Sequence, residues 1–345
     1  MDTDDISSLR QLAGTPLMTP AIVRPAPAYR VERSTWTDTP MPPDEPLGAN
    51  PPAGAIIDYF LPAQPKRPIE LEILDSTGNL VRRYKSDDPL EPTEEELARE
   101  LIPSYWIATP ASLPANRGMH RWIWDLHYPS PDTTAKGYPI SAVPHGTPRG
   151  PLGPLALPGN YVIRLTVDGH RIEAPLILRA DPRVPVPTGA LEQQFALAST
   201  LAESLSESSR AVRSAQSEHE QLQALVKKRP ADDAIVSYDQ KLSALLSAKE
   251  APSHETKDEA TVLLPDLQEQ IEMLYNEVLQ GDAAPNAALV EASEAARNKL
   301  TSVLRTWNQL QTQLPDLNKR LRSAKMPPVR ADLAPTRDLN VADED

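Results

Sequence analysis

Two His-Glu pairs stand where a metal-protease helix would begin, His219-Glu220 and His254-Glu255. Such a helix holds zinc between histidines one turn apart and uses the glutamate as general base. Gln223 and Asp258 occupy the places of the second histidine, so neither pair completes a site, and solvated helix or loop histidines are the simpler reading. His120, His127 and His145 supply three more imidazoles at irregular spacing; loop and core histidines explain them without a metal. Asp125 follows Trp122 and Trp124 and is either a general acid or, more simply, a strand-ending residue bonded to the backbone of a turn. Trp106, Tyr105, Trp122, Trp124 and Tyr161 could stack on a sugar face, yet they lie on or near strands, where a β core needs large side chains. Tyr128, Tyr138 and His145, in or beside a Pro/Gly-rich insertion, are the better ligand-binding candidates. No nucleophile-elbow serine and no phosphate-cradling Gly-Lys-Ser/Thr loop occurs in the sequence. With no cysteine, disulfides, thiolate metal sites and a cysteine nucleophile are excluded. Acids are too numerous for sequence to exclude a carboxylate pair of the glycosidase kind. The reading assigns no catalytic residue, metal or cofactor.

The elements that must position these residues are divided by proline. Of 38 prolines, 30 lie at or before Pro187. Helix interiors reject proline, whereas strand edges and loops accept it, so the first half reads as β and irregular chain and the second as helical. Asp181-Pro-Arg-Val-Pro-Val-Pro187 reads as a stiff linker. Residues 1–50 form an extended Pro-rich leading segment that packs no element of its own, although Leu9, Leu12, Tyr29 and Trp36 can dock on a neighbour. Residues 51–182 carry the strand signals. Ala55–Leu61 is a short apolar run, and Ile69–Leu74 alternates with period two. Asp75-Ser-Thr-Gly78 turns tightly into Leu80–Tyr84, and His120–Asp125 puts both tryptophans on one face. Gly159–Val167, Asp168-Gly169 and Arg171–Arg179 make the clearest hairpin. Some seven strands of this kind predict an immunoglobulin-like or fibronectin-like β-sandwich, interrupted by a long insertion near 127–157 that is functional or packed on another element.

From 188 to 325 the period changes to that of a helical bundle, antiparallel and of three to four helices. Leu191, Ala198, Leu205, Val212 and Val226 recur at multiples of seven, with Leu201, Ala215 and Leu222 between them and His219 on the same seam. Ile235, Tyr238, Leu242 and Leu245 predict a second helix; Leu264, Leu267, Ile271, Leu274 and Val278 predict a third. The last seam, Leu289, Ala296, Leu300, Val303, Trp307, Leu310, Leu314, Leu317 and Leu321, runs in phase through Pro315, which predicts a kinked helix there rather than a loop. Residues 326–345 read as a polar, disordered tail.

The formal net charge of −13 argues against nucleic acid, which needs a basic face to displace phosphate counterions. No apolar run reaches the roughly 18 residues of a spanning helix. The acidic start at Met1 lacks the basic and apolar regions of a signal peptide.

Several strings carry a resemblance. Ile73–Arg83, Gly118–Asp125 and Pro158–Tyr161 are similar to the immunoglobulin-like domain of flagellar hook-capping proteins. Asp4–Arg10, Asn50–Tyr59, Gly118–Tyr128, Tyr138–His145, Gly153–Gly159, Asp282–Pro285 and Leu317–Arg322 through Pro327-Pro328 resemble the C-terminal region of bacterial sortilin-type proteins. Those proteins carry neuraminidase-type propeller repeats and bear glycosyl-hydrolase or sialidase labels. The resemblance implies an extracytoplasmic setting, periplasmic or secreted, and a place after a propeller. The propeller's Asp-box is absent, since Ser130-Pro-Asp132-Thr-Thr134 has Gly137 where the aromatic belongs, so no propeller residue carries over. The expectation is a non-enzymatic accessory region. In it a spacer precedes helices that bind a protein partner or self-associate; a carbohydrate-binding module is the alternative, with a hydrolase implied by label alone.

Overall fold

The computed structural model describes residues 7–12, 18–31, 44, 52–141, 143–228, 232–247, 263–331 and 337–338. Its strands are β1 (Ala21–Ile22), β2 (Ala28–Arg30), β3 (Ala55–Leu61), β4 (Glu70–Leu74), β5 (Leu80–Lys85), β6 (Gly118–Trp124), β7 (Ala135–Lys136), β8 (Gly159–Val167), β9 (His170–Ala180) and β10 (Arg337–Asp338). Its helices are α1 (Ser7–Leu12), α2 (Glu94–Arg99), α3 (Ala190–Lys228), α4 (Asp233–Leu246), α5 (Leu264–Val278), α6 (Ala287–Gln311) and α7 (Leu314–Ser323). Two compact units result. The first takes residues up to Ser130 with Gly137–Phe195, and the second takes Pro131–Lys136 with residues 196–339. The division thus falls inside α3 rather than in the linker at 181–187, and six residues of the long insertion belong to the helical unit.

In the first unit, β1-β3-β6 form one sheet and β2-β9-β8-β4-β5 another. Period two decides which side chains enter the core. Leu71 and Ile73 of β4 are wholly buried while Glu70 and Glu72 between them are not. Ile57 and Tyr59 of β3, Trp124 of β6, and Ile163 and Leu165 of β8 join the same cluster. The turns behave as their residues require. Gly78 takes φ +87° beside Asp75, whose Oδ1 accepts the N–H groups of Thr77 and Asn79. Those bonds, with the Thr77 hydroxyl foremost, hold the Asp75 carboxyl down at about 2. The architecture departs from the immunoglobulin-like sandwich in one respect: the sheet curls nearer to half a barrel than to two clear facing layers. Long paired strands twist, and a bulge adds bend. Here β8 and β9 run nine and eleven residues, and the β4–β5 register shifts between Ile73 and Leu74.

The leading segment is more structured than its prolines predict. β1 pairs with β3, and β2 pairs in parallel with β9, each at a sheet edge. An edge strand needs partners on one side only, so Pro25 and Pro27 between these strands cost no ladder bond. Val23, Ala28 and Arg30 are buried, whereas Tyr29 is 45% exposed and does not dock. Trp36 and the side chain of Leu9 lie outside the described residues.

The second unit is helical, and its core runs from Ala198 to Val329. The 39 residues of α3 span about 58 Å at 1.5 Å per residue. Its buried row ends on Leu225 rather than Val226, and in α5 Tyr275 takes the place expected for Leu274. In α6 the row passes through Leu304 rather than Val303 before Trp307 and Leu310. At Pro315 the helix breaks for two residues, but Thr312 and Gln313 keep right-handed helical dihedrals (φ −65°, ψ −18° and φ −89°, ψ −18°). Pro315 restarts α7 in its first turn, where a missing N–H leaves no bond unmade. Phase is therefore kept, and Leu314, Leu317 and Leu321 are buried with Trp307. Counting α6 and α7 as one kinked helix, the described residues of the unit form four.

The start of the expected tail is packed. Val329 is buried, and the Asn318 amide both donates to its carbonyl (2.9 Å) and accepts its N–H (2.7 Å). Gln221 grips the backbone of Arg330 in the same two-handed way, at 2.9 and 2.8 Å. Two amide side chains thus replace the water that would solvate a free tail.

Candidate functional site

The residues singled out from the sequence fall into separate groups. Tyr138 is buried, at 5% exposure, and offers no open face to a sugar. Tyr128 is half-buried with its ring tilted against Phe195 at 5.1 Å. His145 is exposed, with φ +50°; its N–H donates to the Tyr105 carbonyl at 2.8 Å. It lines a pocket of about 300 Å³ with Tyr105, Ile107 and Leu97. His120 Nε2 meets the Asn116 carbonyl and His127 Nδ1 the Gly153 carbonyl, both at 2.6 Å. Carbonyls only accept, so these ring nitrogens carry the protons and are committed to backbone. Asp125 accepts the His127 N–H at 3.1 Å, a turn contact. Trp122 and Trp124 belong to the β core, edge-on to Tyr84 at 4.9 Å and to Tyr161 at 5.4 Å. His254 and Asp258 lie outside the described residues. Among the described residues no three His, Asp or Glu side chains are grouped to hold a metal.

The insertion is packed. Gly153 lies so close to Tyr128 that a Cβ there would come within 2.1 Å of its carbonyl oxygen, which only glycine permits. Within the helical unit the Asp132 N–H donates to Ser206 at 3.0 Å, and its carboxylate pairs with Arg210 at 2.7 Å.

The first cluster missed from the sequence centres on Glu218, a wholly buried carboxylate on α3. Tyr238 donates to it at 3.2 Å and Gln311 Nε2 at 2.9 Å. Burial outweighs these donors and the Ser214 hydroxyl, and pushes the Glu218 carboxyl above its ordinary 4.5. Beside it, the His219…Gln223 pair that fails as a metal motif still puts both side chains on one face. His219 Nδ1 meets Asp239 Oδ1 at 2.8 Å, and Gln223 Nε2 meets Oδ2 at 2.7 Å. Together these bonds pin α4 and α6 to α3. The signal was available in part, since Glu218 falls midway between Ala211 and Leu225 on a second row of sevens.

A pH dependence follows. The folded state holds the Glu218 proton to higher pH than the unfolded chain does. The contribution of this residue to stability therefore falls as pH rises through the window above 4.5. Glu218→Gln keeps the shape and removes the charge. Thermal melts across this window should show a shallower loss of helical stability with rising pH than the parent chain. Some slope should remain from Glu272, which is also raised by burial. An unchanged slope would mean that Glu218 does not titrate in the folded core.

The second missed feature is charge segregation. From Ala295 to Ala331 the chain has eight Arg or Lys and one acid, Asp316, within a protein of net charge −13. All eight cations are exposed, and none pairs with another described residue. Some cations elsewhere are paired, as Arg121 is with Asp58 and Arg164 with Glu173, while others such as Arg83, Arg171 and Arg179 have no ion pair among the described residues. Helix-dipole compensation accounts for Arg320 and Arg322 in the last turn of α7, but not for Arg297, Lys299 and Arg305 within α6. The whole-chain charge concealed this local excess.

Comparison with known protein families, with curated proteins and with solved structures finds no match. No described helix is long and apolar enough to cross a membrane.

Proposed function

We propose that the chain is a non-catalytic accessory region whose helical unit docks an acidic protein partner, with the β unit as spacer. The carrying observation is the run of eight exposed cations on α6, α7 and the residues after them, none with an ion-pair partner among the described residues. Exposed, unpaired cations attract an anionic partner, raising association rates and setting register. The resemblance to the C-terminal region of sortilin-type propeller proteins supports the accessory role and an extracytoplasmic setting. An antiparallel bundle suits the short connections between α3 and α4 and between α5 and α6.

Binding of the full chain to poly-glutamate, followed by fluorescence anisotropy, tests the docking face. Binding should weaken at least about tenfold in an Arg320→Glu, Arg322→Glu, Lys325→Glu variant and should fall with added salt. Equal binding by parent and variant would show that the basic face is not the docking surface. Turnover of a sialoside or generic glycoside above a denatured control would overturn the non-catalytic reading.

A further inference from the structure

Within the helical unit a groove of about 540 Å³ opens between α3 and α6. Arg297, Thr301, Arg305 and Asn308 line it from α6, and Glu207 faces them from α3. Leu300 and Leu304, buried at 3% and 7% exposure, form its floor. Neither arginine has an ion-pair partner among the described residues. From these positions we infer that the groove is a peptide-binding site for an acidic segment of the pattern acid-x-apolar-x-acid. This deepens the docking reading above and rests on it.

The pattern comes from spacing. Arg297 and Arg305 are eight residues apart on one helix, about 12 Å along its axis. In an extended peptide, side chains at i, i+2 and i+4 point the same way and the outer two stand about 13 Å apart. Two carboxylates so placed meet the two guanidinium groups, each able to take a carboxylate with two parallel bonds. The apolar side chain between them falls over Leu300 and Leu304. Extended backbone leaves N–H and C=O groups to be satisfied, and Asn308, Gln309, Thr301 and Glu207 supply acceptors and donors along the rim.

A protein segment fits better than the other polyanions. The Glu207 carboxylate on the facing wall can accept a peptide N–H, and a phosphodiester backbone has none to donate. No aromatic side chain lines the groove to stack a base, which single-stranded nucleic acid requires for tight binding. A lipid surface is flat and cannot enter a cleft between two helices.

The test uses the full chain and a fluorescein-labelled peptide with the core Glu-Ser-Leu-Ser-Glu. A control peptide, Glu-Leu-Ser-Ser-Glu, has the same composition but turns its leucine away. The first peptide should bind at least about fivefold more tightly than the control. Its affinity should fall at least about tenfold in Arg297→Ala, Arg305→Ala and by less in Arg297→Lys, Arg305→Lys, which keeps the charge without the bidentate geometry. Helical ellipticity should be unchanged in both variants. Equal binding of the two peptides, or full affinity in the double-alanine variant, overturns the groove assignment. A chain that binds poly-glutamate but not the peptide leaves the basic-face reading standing and removes the groove. Failure with both ligands removes both. Tighter binding of a single-stranded DNA oligonucleotide or of phosphatidylserine vesicles than of the peptide overturns the acidic-segment assignment.

Discussion

A chain ended after Gln313 is expected to lose most of the stability of the helical unit. The cut removes Leu314, Leu317, Leu321 and Val329, all buried in the same cluster as Trp307 and Leu310. Full burial of such side chains contributes about 1.5–3 kcal/mol each, an upper estimate because unfolded chains are already partly compact. Even discounted, the loss reaches about 4 kcal/mol or more, comparable to the whole margin by which many domains are folded. The amide clamps of Asn318 on Val329 and of Gln221 on Arg330 go with it. Melts followed by helical ellipticity check this. If the shortened chain unfolds at the parent temperature, α7 does not belong to the core.

Trp124→Ala should be the most damaging single change in the β unit. The indole is wholly buried, stacks edge-on to Tyr161, and its Nε1 donates to the His127 carbonyl at 3.1 Å. Truncating a buried tryptophan costs about 3–5 kcal/mol through lost burial and the cavity left behind. The orphaned His127 carbonyl adds to this. Trp124→Phe keeps an aromatic against Tyr161 and should cost distinctly less. Urea titration followed by the fluorescence of the remaining indoles measures both. A loss below about 1 kcal/mol in the alanine variant would place Trp124 outside the core.

Legibility in the sequence tracked the range of the interaction. Gly78 and the Asp168-Gly169 turn, the inward set of β4, and the phase of the last seam through Pro315 all depend on residues within a few positions of one another. The leading strands were unreadable for the opposite reason. Ala28–Arg30 become a strand only because β9, about 150 residues later, offers a free edge. Tyr138 looked like a ligand-binding aromatic because composition places it in a loop, and only the fold buries it. Of the ligand-binding candidates, Tyr138 is buried, Tyr128 is half-buried against Phe195 and His145 is exposed, a difference that their shared place in the insertion did not encode.

By itself the sequence determined the β-then-helix order, the turns and, to within one position, the helical faces, because proline placement and periodicities of 2 and 3.6 act locally on the backbone. Tertiary structure alone decided which faces meet. It brought Tyr238 and Gln311 onto Glu218, from 20 and 93 residues away, and turned the Val303 row to Leu304. It also left Arg297 and Arg305 of α6 along a groove, without ion-pair partners among the described residues. Burial and ion pairing depend on distances between elements, and no local pattern encodes those distances.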